Sequence, residues 1–143
     1  MKCKTVVDPN REEEVIVYVH QRSKLSDDIE EYVTGYSSEL IGYLDKSAVK
    51  LNQQDIFCIV VENNKIFALT ENEKFRLKQR LYTLEEILNK DFVKINQSCI
   101  VNIKKIKKFD ASFSGALSLT LKNGYKDYVS RRQLKFVKER IGV

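Results

Sequence analysis

The residues with the most pointed chemistry stand near the C-terminus, at Ser130-Arg131-Arg132-Gln133. Ser130 and Gln133 have the spacing of a helix start in which a serine caps and an amide sits three residues on. Arginines in a first turn oppose the helix dipole, so local stability alone favours acidic residues there. The arrangement makes sense where an anion approaches: first-turn N–H groups and two guanidinium forks then converge on one phosphate or on a guanine edge. Two surface arginines held in salt bridges are the plain alternative. A second group is Asn96-Gln97-Ser98, whose amides suit a bidentate contact with adenine and whose hydroxyl suits a phosphate. Turns also select Asn and Ser for purely conformational reasons. A third is the set Lys94, Lys104, Lys105, Lys107 and Lys108, which lie between Asp91 and Asp110 with no acidic residue among them. Phosphate steering is their functional use, and a strand edge guarded by lysines against aggregation is the alternative.

Charge is distributed unevenly. Residues 1–62 hold 7 Lys/Arg against 12 Asp/Glu, and residues 63–143 hold 18 against 8, so a chain of net charge +5 has an acidic and a basic half. Such a chain offers one surface to a polyanion and turns another away from it. Catalysis finds little support, because His20 is the only histidine and lies in the acidic half, and no Gly-rich phosphate loop or nucleophile elbow is present. Asp27, Asp28, Glu30 and Glu31 have the spacing of a solvated helix start rather than of a metal cage. Cys3, Cys58 and Cys99 lack the close spacing of metal or redox sites, and Cys58 sits inside an apolar run as a buried thiol would. The chain has neither the long apolar stretch of a membrane span nor the apolar core of a secretory signal. A cytoplasmic protein with no catalytic residue, metal or cofactor is expected.

Positioning these groups requires a mainly β module. Lys2 to Val7 and Glu14 to His20 read as strands joined at Asp8-Pro9-Asn10. A helix follows, capped by Ser26, with Ile29, Tyr32, Val33 and Tyr36 as its buried stripe. From residue 40 the chain breaks into short β segments: Leu40–Leu44, Ala48–Leu51, Ile56–Val61, Lys65–Leu69 and Phe75–Tyr82. Asn63-Asn64 has the conformational tolerance for a two-residue hairpin turn. Thr83 and Glu86 have capping-box spacing for a short helix whose Leu84, Ile87 and Leu88 face the core. Phe92–Ile95 and Cys99–Ile103 flank the polar knot at Asn96-Gln97-Ser98. Leu117, Leu119 and Leu121 alternate with polar residues and turn at Asn123-Gly124 into Tyr125–Val129. The last helix presents Leu134, Val137 and Ile141 and ends at Gly142.

Taken in order, these segments resemble the LytTR family of bacterial DNA-binding domains. The matching stretches are Asp55-Ile56 with the following strand, Thr83-Leu84-Glu85-Glu86-Ile87-Leu88, and Phe92-Val93-Lys94-Ile95-Asn96-Gln97-Ser98-Cys99-Ile100-Val101-Asn102. Leu119-Thr120-Leu121-Lys122-Asn123-Gly124 and Val129-Ser130-Arg131-Arg132 complete the set. The resemblance covers residues 40 to 143 and implies an α+β, mainly β fold. Its short antiparallel sheets carry a short central helix and a C-terminal helix, and a small β-hairpin and helix extension at residues 1–39 precedes them. It implies double-stranded DNA as partner, read in successive major grooves through loops. Residue by residue the contacts fall on Asn64 and Lys65, on Asn96, Gln97 and Ser98, and on Arg131 and Arg132; Lys104, Lys105, Lys107 and Lys108 are expected, from their charge alone, to steer phosphates.

The family commonly has a His followed by a basic residue where this chain has Asn96 and Gln97, so base preference at that step does not carry over. Residues 1–39 are too few for the phosphoacceptor domain that precedes many members. The extension resembles a smaller branch in which the regulator is linked to a membrane protein partner. A homodimer built through residues 1–39 is also expected. The reading from another class is a protein-interaction module without specific DNA binding.

Overall fold

The structure is a computed structural model that describes residues 1–37, 40–111 and 116–143. Its elements are, in chain order, α1 (Lys24–Ser37), β1 (Leu40–Leu44), β2 (Ser47–Leu51), β3 (Cys58–Glu62), β4 (Lys65–Leu69), β5 (Lys74–Leu77) and α2 (Leu81–Ile87). Then follow β6 (Phe92–Asn96), β7 (Cys99–Asn102), β8 (Ile106–Ala111), β9 (Leu117–Leu121), β10 (Lys126–Val129) and α3 (Arg131–Ile141), with 3-10 turns at Gln53–Asp55 and Ile103–Lys105. The α+β, mainly β architecture expected from the sequence is the one observed. A seven-stranded sheet in the order β2-β1-β5-β4-β3-β7-β6 carries a three-stranded sheet β10-β9-β8, and every pairing is antiparallel.

Side chains alternate across a strand, and the central strands are buried on both faces. Cys58, Val60, Cys99 and Val101 point to one side, where Leu117, Leu119 and Leu121 of the small sheet and Val137 of α3 close over them. Ile59, Ala68, Phe75, Leu77 and Ile100 point to the other, where Leu84 and Leu88 cover them. This accounts for the unbroken apolar run around Cys58: a strand between two cores has no polar face. Gly42 sits where β1 crosses Phe75, and a methyl group there would stand 2.6 Å from Phe75 Cβ and 2.7 Å from Leu51 Cδ1.

Two buried amides replace backbone pairing where the chain leaves the sheet. Asn102 Nδ2 donates to Ile56 O (3.0 Å) and its Oδ1 accepts from Lys104 N (3.0 Å), so one side chain ties β7 to the entrance of β3. Gln53 donates to Ile87 O (3.3 Å) and accepts from Asn89 N (2.9 Å), pinning the end of α2 to the first 3-10 turn. Each group would otherwise leave a buried carbonyl or N–H without a partner.

The hairpin turns and the bounds of the last helix follow the sequence reading, but the expected cap is corrected: Ser130 stands at the N-cap position without a side-chain hydrogen bond, and Gln133 N bonds to its carbonyl instead. Asn63 and Asn64 have φ of 51° and 62°, and Gly124 and Gly142 have φ of 89° and 78°. Several expectations are corrected. Residues 2–7 and 14–20 form no strand; the Asp8 turn exists, with Asn10 N donating to Asp8 Oδ1 at 3.0 Å, but residues 1–25 are exposed throughout. A β-branched run favours extended backbone, yet a two-stranded ribbon without a surface to cover is marginal. The cap of α1 is Ser23 rather than Ser26. Ser23 Oγ accepts from Ser26 N (3.2 Å) while Ser26 Oγ accepts from Ser23 N (2.9 Å), a reciprocal pair in which Ser26 takes the role usually given to Glu. The expected stripe of α1 is not a core stripe, since Tyr32 is exposed and Ile29 and Val33 are half-buried; the side chain of Tyr36 lies outside the described residues. β5 stops at Leu77, and α2 starts at Leu81 rather than Thr83, with Leu84 N bonded to Arg80 O and no side-chain cap.

Gly42→Ala should lower unfolding stability by about 1–3 kcal/mol through overpacking, read as a lower urea midpoint with unchanged slope.

Candidate nucleic-acid interface

Register decides which of the sequence-selected residues meet. β3 and β4 pair up to Glu62↔Lys65, which leaves Asn63 and Asn64 as a two-residue tip. β3 also pairs with β7 up to Val60↔Cys99, and Val61 N donates to Ser98 O (2.9 Å). The Asn63-Asn64 tip and the Gln97-Ser98 tip therefore lie side by side at one end of the large sheet. The start of α3 joins them, because Ser130 N donates to Ile95 O (2.8 Å). Asn64, Lys65, Gln97, Ser98, Arg131 and Arg132 are all exposed there.

Asn96 has a different part. It is 4% exposed, and its Nδ2 donates to Tyr128 O (2.9 Å) and to Asp127 Oδ1 (3.2 Å), while its Oδ1 accepts from Ser98 N (2.8 Å). An amide so occupied is a latch between the β6–β7 turn and the end of β10, and the geometry leaves it no edge to offer to adenine. Asp127 is shared further, accepting from Tyr125 Oη (3.0 Å) and Tyr128 N (2.8 Å). Burial first, then the neighbouring Cys99 and Asp127, pushes the Tyr125 hydroxyl well above the usual tyrosine range. The Cys99 thiol is raised too, by its hydrogen bond with Cys58 and then by burial.

The electrostatics of this end follow from which charges are paired. The Glu62 carboxylate is in an ion pair with Lys74, and Asp127 is held by the three donors named above. Lys65, Arg131 and Arg132 have no ion pair among the described residues. The cations are left to face solvent and the carboxylates are already engaged, which favours an approaching anion. Two further basic residues stand at this end that the sequence alone did not single out. Leu77 pairs with Ile66 next to the Asn63-Asn64 tip, so Lys78 and Arg80 leave the sheet beside it, and both are exposed. Only the strand order, with β5 against β4, brings them there; neither sits in a motif.

The remaining lysines are elsewhere. Lys104 and Lys105 follow the opposite end of β7, at least ~10 Å along the strand from Ser98. Lys104 is paired with Asp91 (3.4 Å), and Lys105 lies over the Phe57 ring, 4.9 Å from its centre. Lys107 and Lys108 are exposed on β8, an edge strand of the small sheet, with Lys108 3.6 Å from Asp110. Their position fits the guarded strand edge weighed in the sequence reading. Lys94 is half-buried and 3.6 Å from Glu85.

A mainly antiparallel β domain that gathers exposed amides and unpaired cations on loops at one sheet end defines a class of module that offers an anion a set of loops rather than a single helix. Residues 46–142 match the LytTr DNA-binding domain, and the chain belongs to the LytTR family. It is 34% identical over 148 residues to a chain of Staphylococcus aureus (strain NCTC 8325 / PS 47) described as an uncharacterized HTH-type transcriptional regulator, with 100% of this chain and 99% of the relative covered. A chain of the same description from strain MSSA476 is 35% identical over 138 residues, 93% of each. A solved LytTr DNA-binding domain from Bacillus cereus superposes with a TM-score of 0.70 at 20% identity, covering 75% of this chain and 99% of that one, and so shares its fold. The three helices described here are separated by strands, and none forms a helix-turn-helix pair with another. The family is one of DNA-binding domains, not of enzymes.

Asn96→Ala should destabilise the fold by about 1–3 kcal/mol, because it orphans buried partners, whereas Gln97→Ala should leave the urea midpoint unchanged. Raised folded-state values for Cys99 and Tyr125 mean that their neutral forms are favoured in the fold. Their contribution is fully present below the unfolded cysteine value near 9 and is lost as pH rises above it. Urea midpoints should therefore be flat between pH 7 and 8 and fall above pH 9.

Proposed function

We propose that the chain is a sequence-specific regulator of transcription, acting in the cytoplasm, that reads duplex DNA through the loops gathered at one end of its large sheet. The observation that carries this reading is the backbone-enforced meeting of Asn64-Lys65, Gln97-Ser98 and Arg131-Arg132, whose cations have no ion pair among the described residues. Arg131 and Arg132 suit guanine edges or phosphates, Gln97 suits adenine, and Ser98, Asn64 and Lys65 suit the backbone of an adjacent groove. Asn96 enters as the latch that holds Gln97 and Ser98, and Lys78 and Arg80 extend the phosphate contacts. Lys107 and Lys108 contribute to long-range attraction only.

Selection from a random duplex library, repeated over a salt series, should enrich one motif, and weak binding equal for all duplexes would refute specificity. On the selected site Arg132→Ala should cost about 1–3 kcal/mol, whereas unchanged affinity would remove Arg132 from the interface.

Residues 15–19 favour a protein contact as well. Val15, Ile16 and Tyr18 are 59%, 57% and 90% exposed, an unusual state for a β-branched and aromatic run. We assign this segment to contact with a second copy of the chain, with a membrane protein partner as the competing occupant. Sedimentation should show a dimer that Ile16→Lys with Tyr18→Lys converts to monomer; a monomer at all concentrations would favour the other occupant.

A further inference from the structure

The opposite end of the large sheet holds a cavity of about 900 Å3, bounded by α1 on one side and by both 3-10 turns on the other. Its volume lies in the range of small-molecule sites. A cube of that volume is about 10 Å on a side, and a duplex, which is broader than its roughly 12 Å major groove, is too wide to enter it.

The lining is strongly cationic. Among the described residues, Lys50, Lys90, Lys104 and Lys105 line it against Glu31 and Asp91, more cations than carboxylates in a concave space. Asp91 is engaged by Lys104. Two amides on the wall are oriented by their own turns. Asn52 Oδ1 accepts from Gln54 N (3.1 Å) and Asn89 Oδ1 accepts from Asp91 N (2.9 Å), which leaves the NH2 end of each as the group with hydrogen-bonding capacity to offer. Donors and cations therefore dominate the wall. Tyr32 of α1 adds a ring at the rim and is 74% exposed.

We propose that this cavity binds a small phosphorylated molecule, with Lys50, Lys90, Lys104 and Lys105 meeting its negative charge and the Asn52 and Asn89 amides donating to its oxygens. The assignment gives Lys104 and Lys105 a ligand of their own, at the end of the sheet remote from the DNA-facing loops. Because α1 forms one wall and carries residues 1–23, occupancy would fix the extension relative to the domain, and the ligand is then an input signal.

Titration calorimetry on the full chain in 150 mM salt tests this with sodium tripolyphosphate and, separately, ATP. One saturable site is expected, weakened at least tenfold by Lys50→Gln with Lys104→Gln and also by Lys90→Gln alone, and little changed by Arg131→Gln with Arg132→Gln. Equal affinity for the two probes assigns the site to a bare polyphosphate, and tighter ATP binding assigns it to a nucleotide. Absence of saturable binding to either probe overturns the proposal. So does binding that is lost in the arginine variant and kept in the lysine variants. Lysine variants that bind the selected duplex more weakly while neither probe binds return these lysines to the DNA surface.

Discussion

The pairing of β3 with β7 is the constraint on which the rest of the site depends. It joins segments about 40 residues apart and sets Val60 opposite Cys99, so that two hairpin tips finish at the same height and share the bond from Val61 N to Ser98 O. Both strands are buried on both faces, and a slip by one residue would exchange every side chain between two different cores. The positions of the tips are thus held by the whole packing of the domain. The third loop is fastened to them by Ser130 N on Ile95 O and by the Asn96 side chain. Loops on so rigid a frame lose little conformational entropy on meeting a ligand, which is where affinity for a polyanion is otherwise lost.

The same frame separates two kinds of cation. At the loop end, Lys65, Arg131 and Arg132 face solvent while the nearby carboxylates are engaged. At the far end, Lys104 and Lys105 are drawn into local contacts with Asp91 and Phe57 and line a concave space. The first set suits an extended duplex and the second a compact anion. The distinction rests on shape, since both sets carry similar charge.

Elements whose stability is local were readable from residue types. Asn63-Asn64 and Asn123-Gly124 turn where positive φ is tolerated, and the Leu117–Leu121 alternation and the Val137 stripe of α3 bury as their periods require. Readings that depended on what lies opposite were not legible in residue types. Residues 14–20 look like a strand in every local respect, but strand formation needs a partner edge, and none reaches them among the described residues. Asn96 looks like an exposed turn amide, and only its burial against Tyr128 and Asp127 marks it as a latch. The lysines from 104 to 108 look like one basic patch, yet a 3-10 turn and a change of sheet divide them. Lys78 and Arg80 carry no motif and acquire their place from strand order alone.

The central claim is that DNA meets the loop end of the sheet, and amide chemical shifts of the isotopically labelled chain titrated with its selected duplex test it most directly. The account predicts the largest shifts at Asn63–Lys65, Gln97–Ser98 and Ser130–Arg132, with Lys78–Arg80 following and Lys104–Lys105 little changed. Shifts centred on Lys104–Lys105 or on the outer face of α3, with the three loops unmoved, would contradict it.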